Sequence, residues 1–155
     1  MNEKLQEAIF KKYPEIFKQR NMKVEESCMA RGIQCGNGWF NIIDVLCHSI
    51  KTYISQNTKS CSNNQHKVRL IPTNRTSLTF EAAQIKEKYG ALRFYYDGGD
   101  DIIAGMIRYA EALSLVTCSI CGAPAKAYSS GWLSTLCDDC KRKKCNNGSS
   151  DEKIS

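Results

Sequence analysis

The chain has 155 residues, 42% of them hydrophobic and 25% charged, with a formal net charge of +6. That length holds one domain, or one domain with a small appended module, and the composition is ordinary for a soluble globular protein. No apolar run approaches the roughly 20 residues that cross a bilayer, and the charged, amphipathic beginning lacks the apolar stretch and small-residue cleavage site of a signal peptide. The positive charge favours anionic partners. Nine cysteines are many for this length. Once the four discussed below are set aside, Cys28, Cys35, Cys47, Cys61 and Cys145 remain. An odd remainder argues against a disulfide framework and for a reducing, cytoplasmic setting.

In chain order, the spacing predicts a short helix over residues 3–12, with Leu5, Ala8 and Ile9 on one face and Pro14 just past its end. Ile16 and Phe17 are expected to dock that segment. Residues 18–34 carry no clear period. Cys28 and Cys35 lie in or beside this stretch without a histidine near them, and two ligands are too few for a metal site. Gly36-Asn37-Gly38 is a breaker, and the strongest helix signal follows it. Phe40, Ile43, Leu46, Cys47, Ile50 and Ile54 recur at three and four residues and make one buried stripe. Trp39 stands at the start of that helix, where its indole N–H needs a partner. Asp44 and His48 are four apart. They read as an ordinary helix-surface contact, with an acid–base pair as the functional alternative.

Residues 56–65 are polar and read as a connection. Between Val45 and Phe80 stand Lys51, Lys59, Lys67, Arg69 and Arg75 with no acidic residue. This run is either an electropositive surface for a phosphate-bearing ligand or a solvated loop. Residues 68–71 form a possible strand before Pro72. Extended character resumes at residues 77–80. Leu92, Phe94 and Tyr96 alternate with Arg93 and Tyr95, the period of a half-buried strand, after a turn or bulge at Gly90. Residues 83–89 permit helix or strand. Strand is preferred, because Ile85, Glu87 and Tyr89 alternate with Lys86 and Lys88 and the result is a hairpin with charge on one face. Asp97, Asp100 and Asp101 read as a turn and a helix cap rather than a cation site. The following helix, from about residue 102 to 115, turns Ile103, Met106, Ile107, Ala110 and Leu113 inward.

Cys118-Ser119-Ile120-Cys121 and Cys137-Asp138-Asp139-Cys140 are two Cys-x-x-Cys pairs separated by fifteen residues. That is the spacing of a tetrathiolate zinc site. Four thiolates fill a tetrahedral shell, so the expected Zn2+ is structural and leaves no position for water or substrate. Two disulfides or a redox pair fit worse. Residues 125–128 and 132–136 are the expected arms of a hairpin between the pairs. Tyr128 and Trp132 either cover the metal or offer contacts to a partner. After Cys140 the chain is basic, Lys141-Arg142-Lys143-Lys144, and its last ten residues read as disordered.

Taken together, Gly38-Trp39-Phe40 with Leu46-Cys47, then the run from Ile85 to Tyr95, then Ala110-Glu111 and Ser114, Cys118 to Pro124, and Gly131-Trp132 with Thr135-Leu136-Cys137 and Cys140 resemble a family of small bacterial and bacteriophage or prophage proteins. The resemblance spans roughly residues 33 to 140. It implies a small, mobile-element-encoded cytoplasmic protein with a C-terminal zinc ribbon, and it brings no reaction with it.

The expected architecture is α+β: two main helices on a short antiparallel sheet, finished by the ribbon. Residues 1–116 form the α+β domain, 117–145 the ribbon and 146–155 the tail. The expected function is non-enzymatic binding of an anionic ligand, nucleic acid or nucleotide, by Lys86, Lys88, Arg93, Tyr95, Lys67 and Arg69. An anti-defence sponge for a nucleotide immune signal, held at an oligomer interface, is one form of it. The alternative is an adaptor or inhibitor gripping a host protein. A metal-dependent nuclease or hydrolase using Asp44, His48 and the three aspartates ranks third, because no recognised catalytic motif occurs.

Overall fold

A computed structural model describes residues 1–58, 78–130 and 132–148 of the chain. The possible strand at 68–71 and the cations Lys59, Lys67, Arg69 and Arg75 lie outside the described residues.

The longest apolar stripe organises the core. Helix α2 (Phe40–Thr58) buries Ile42, Ile43, Leu46, Cys47 and Ile50, with Phe40 and Ile54 partly covered. Helix α1 (Glu3–Lys12) packs beside it. The side chain of Asn2 caps α1 by accepting from the Leu5 amide at 2.9 Å. Its inward face is carried by Ile9 and Phe10, while Ala8 is exposed. Tyr13, Ile16 and Phe17 follow in the core, each 1% exposed, so the segment after Pro14 docks as expected. Residues 18–34 fold as two 3-10 turns, Lys18–Asn21 and Cys28–Arg31, which insert Met29 into the core.

Strands β1 (Phe80–Lys88) and β2 (Ala91–Gly98) form an antiparallel hairpin, as the alternation predicts. Ile85, Leu92 and Phe94 face inward, and Lys86 pairs across the strands with Arg93 on the outer face. A bulge between Ala82 and Gln84 shifts the phase, so Phe80 and Ala82 point inward as well. Both outer edges find partners. On β1 the Gln34 amide donates to Ile85 O, and the Glu87 amide donates to Gln34 O, each at 2.9 Å. On β2 the Leu92 amide donates to Ser114 Oγ and the Phe94 amide to a Glu111 carboxylate oxygen, each at 2.9 Å.

Ser114 and Glu111 belong to helix α3 (Asp101–Ser114), which packs on α2 and β2. Asp100 caps it, accepting from the Ile102 and Ile103 amides. Ile103, Ile107 and Ala110 are buried as expected. Leu113, expected inward, is 39% exposed, and fully buried Ser114 takes the inward position because its hydroxyl closes the β2 edge.

After α3 come β3 (Lys126–Ser130) and β4 (Trp132–Leu136), a second antiparallel pair, and helix α4 (Asp138–Gly148). The fold is therefore α+β, with two short antiparallel sheets and a C-terminal cysteine cluster that fits a zinc ribbon. Helix α4 carries the Lys141–Lys144 run and reaches three residues into the segment expected to be disordered. Residues 149–155 lie outside the described residues. Among the described residues no helix is long and apolar enough to cross a membrane.

The β1–β2 turn holds Tyr89 at φ 55° and Gly90 at φ 73°. A two-residue loop with both residues left-handed matches the twist of a hairpin, but it suits glycine and asparagine rather than tyrosine. Gly90 is pinned on both sides: its amide donates to Glu87 Oε1 at 2.7 Å, and its carbonyl accepts from Thr135 Oγ1 at 2.6 Å. Urea unfolding of the full chain should find Gly90→Ala less stable by about 1–2 kcal/mol. Tyr89→Asn should be at least as stable as wild type, and the reverse order would refute this account of the turn.

Candidate functional site

Two tight turns bring the four cysteine sulfurs together. In the first, the Cys118 amide donates to Ala123 O at 2.7 Å and the Gly122 amide donates to Cys118 O at 2.9 Å. Gly122 sits at φ 80°, which lets the chain leave the turn. In the second, Cys137 ends the hairpin and Cys140 lies in the first turn of α4, where the Lys141 amide donates to Cys137 O at 2.9 Å. The Cys140 amide also points at Cys137 Sγ, 3.5 Å away.

The ligand atoms of Cys118, Cys121, Cys137 and Cys140 all lie within 4.8 Å of one another. Cys121 and Cys137 are 3.6 Å apart, far beyond a bonded S–S distance. A tetrahedron with 2.3 Å metal–sulfur bonds has edges of about 3.8 Å. The cluster therefore needs only a small contraction to hold one cation with all four thiolates.

The electrostatics of the sulfurs prepare such a site. Burial opposes ionisation of Cys118. The backbone amides of Cys121, Cys137 and Ile120 outweigh it and bring that thiol down to about 6. Cys140 moves the other way, to about 12, by loss of solvation and by the neighbouring thiols. The Cys118 thiolate is thus favoured and those of Cys121 and Cys140 are resisted, until a cation offsets the repulsion. Metal loading must expel a proton from Cys140 at neutral pH, so affinity falls as the solution is acidified.

The first turn rests directly on the Gly36-Asn37-Gly38 backbone. The Gly38 amide donates to Ser119 O at 2.9 Å. A Cβ at Gly38 would overlap the Cys118 carbonyl and the Gly122 amide, and one at Gly36 would overlap the Ser119 carbonyl. Next to them, fully buried Trp39 donates its indole N–H to Thr117 O at 2.8 Å, supplying the partner its position demands. The two glycines read as a helix breaker in the sequence. Their closer role, admitting the cysteine turn, has only one sequence signal, the Gly-x-Gly spacing itself.

Among the described residues the other cysteines are not part of this cluster. Cys35 and Cys47 are buried, and burial pushes the Cys35 thiol up to about 11 and the Cys47 thiol higher still. Both behave as small core residues. Cys28 and Cys145 are exposed, and Cys61 lies outside the described residues.

The hairpin gathers four of the expected ligand residues. Lys86, Lys88, Arg93 and Tyr95 share the outer face of β1 and β2, by cross-strand pairing and alternation. Lys86 Nζ lies 5.3 Å from the Tyr95 ring centroid, and Tyr95 is 43% exposed. Arg93 also approaches Glu111, at 3.8 Å. Lys67 and Arg69 lie outside the described residues. Lys51, at the start of the basic run, is tied to Glu15 at 2.8 Å.

Three of the four carboxylates that suggested catalysis have other work. Asp44 holds Lys12 at 2.8 Å and accepts from the Tyr13 hydroxyl at 2.9 Å, so its partners are on α1 and beside it rather than at His48. Asp97 accepts from Gln19, and Asp100 combines the α3 cap with a 2.7 Å bond from the Tyr53 hydroxyl. His48 is exposed beside an open cleft of about 400 Å³, which Lys12 and Lys51 also line. No protein-family model, curated protein or solved structure matches the chain.

Elemental analysis of purified protein should find one metal atom per chain, with stripping by chelator lowering Tm. Gly38→Ala should weaken metal affinity by about 10- to 100-fold through loss of outer support. Gly105, in α3 with open space around it, is the control, since Gly105→Ala should add about 0.5–1 kcal/mol. Equal effects from the two glycines would refute the docking role of Gly38.

Proposed function

We propose that this chain is a non-enzymatic zinc-ribbon protein of the cytoplasm that binds an anionic ligand, a nucleic acid or a nucleotide, on the outer face of the β1–β2 hairpin. Zinc is the cation of choice because it accepts four thiolates in a tetrahedron. With its shell closed, the ion braces the fold. The observation that carries the binding reading is the hairpin face itself. Three cations and a tyrosine stand there in register on a rigid two-stranded frame, with Lys86 set over the Tyr95 ring. Cations contact phosphates, and an exposed ring stacks on a base. A role for the chain in a bacteriophage or prophage, including sequestration of a nucleotide immune signal, rests on the sequence resemblance alone.

Absence of catalysis is part of the same proposal. Its support is the capture of Asp44, Asp97 and Asp100 by structural hydrogen bonds.

A second reading, a protein–protein adaptor, is favoured by one observation. Ile102, Tyr109, Leu113 and Val116 are all exposed on α3 and just beyond it. Capture of a host protein that survives nuclease and high salt would favour it over the first.

Salt-dependent binding separates these readings. Affinity for a mononucleotide or a short oligonucleotide should fall steeply with salt. Lys86→Ala and Lys88→Ala should each reduce the slope by about 0.7–0.9 for every phosphate left without its cation. Binding that ignores both substitutions would exclude the hairpin as the site.

A further inference from the structure

The ribbon carries a second surface, apart from the β1–β2 hairpin, of which the cysteine cluster uses only one end. Tyr128 pairs with Ser134 across β3 and β4, so alternation puts Lys126, Tyr128, Trp132 and Leu136 on one face. The two ends of that face differ. Leu136 is buried with Cys118 and Cys140, and Tyr128 packs against the same cluster. Trp132, at the other end, is 69% exposed. Covering the metal is thus the work of Leu136 and Tyr128, and the indole of Trp132 is left for something else.

Helix α4 lies alongside and adds charge. Lys141 Nζ stands 3.7 Å from the Tyr128 ring centroid, and the Tyr128 hydroxyl donates to Asp138 at 2.6 Å. Lys144 is three residues on from Lys141 and so on the same side of the helix. Both are exposed, as is Lys126. Asp138 is held by Tyr128 and Asp139 pairs with Arg142. Among the described residues no carboxylate forms an ion pair with Lys126, Lys141 or Lys144.

We propose that this face binds single-stranded nucleic acid, with Trp132 stacking on one base and Lys126, Lys141 and Lys144 meeting the phosphates that follow along the face. The proposal extends the anion-binding reading and rests on it for the class of ligand, but it places the contact on the ribbon. A single strand is the occupant because an exposed indole needs an unstacked base face, which a duplex hides. A protein partner fits less well, since lysines are depleted where protein interfaces bury their aromatic anchors.

The test uses the full zinc-loaded chain, oligo(dT) and oligo(rU) about ten nucleotides long, and a duplex of the same length. Trp39 is fully buried with its indole N–H bonded, so a change in tryptophan fluorescence reports on Trp132. Single strands should quench it and the duplex should not. Trp132→Leu should weaken single-strand binding about tenfold, the scale of one missing stack. Lys141→Ala with Lys144→Ala should reduce the salt slope by about 1.4. Metal content must stay at the wild-type value in each variant, which separates the removal of a binding side chain from disruption of the ribbon. Binding without quenching, equal binding of duplex, or an unchanged Trp132→Leu variant overturns the proposal. If Lys86→Ala and Lys88→Ala abolish binding while Trp132→Leu does not, the hairpin reading stands and the ribbon site falls. If neither oligonucleotides nor nucleotides bind, both fall.

Discussion

The contact on which the rest depends is the seating of the first cysteine turn on the backbone of Gly36 and Gly38. A tetrathiolate site can fold as an independent button on a flexible stalk. Here it cannot move freely. The Gly38 amide bonds to Ser119, the Trp39 indole bonds to Thr117, and no side chain separates the two backbones. A third tie runs from the Ser119 amide to Thr135 O at 3.0 Å, joining the cysteine turn to β4. Order in the sulfur cluster and order at the start of α2 are therefore one event. The binding energy of a metal held there would be folding energy for more than the ribbon.

The same coupling reaches the hairpin from the other side. Thr135, fully buried in β4, donates to the carbonyl of Gly90 at the β1–β2 turn, and the Leu133 side chain lies 3.3 Å from where a Gly90 Cβ would stand. A turn that contains a left-handed tyrosine carries a conformational cost of about 1–2 kcal/mol. Its partners on β4 and the Glu87 side chain hold it in place. The frame that presents Lys86, Lys88, Arg93 and Tyr95 is thus fixed at its tip by the ribbon and along the β2 edge by α3.

The pattern-bearing parts of this architecture were legible in the residues. The stripe from Phe40 to Ile54, the alternation on either side of Gly90, the Asp100 cap and the paired cysteines each follow a local period or spacing that one interaction enforces. What escaped was decided by distant contacts. Leu113 and Ser114 compete for one inward position, and apolarity favours the leucine. The serine is buried because an amide on β2, twenty-two residues away, needs an acceptor. Gly36 and Gly38 look like any loop glycines until the cysteine turn is laid on them. Asp44 and His48 sit at helical spacing, but Lys12 and Tyr13 lie closer to the carboxylate than the helix neighbour suggests. The basic helix α4 has no apolar period at all. It forms behind Cys137 and Cys140, whose shared turn supplies the nucleus that isolated helices lack.

Charge placement follows from the same division between local pattern and distant partner. The net +6 is a small excess, and it gains meaning only from where the acids are used. Asp44, Asp97, Asp100, Glu111 and Asp138 each accept a hydrogen bond from another part of the fold. Carboxylates are suited to that work, since each offers two oxygens to donors that burial would otherwise strand. Lysine is not, because its compact ammonium is strongly hydrated and stays in water on a flexible stem. A chain that uses its acids to join elements leaves its cations outside, beside whichever rings the strands also turn outward. On β1 and β2 those rings include Tyr95, and on β4 the ring is Trp132. Both surfaces come from the same division of labour between the two signs of charge.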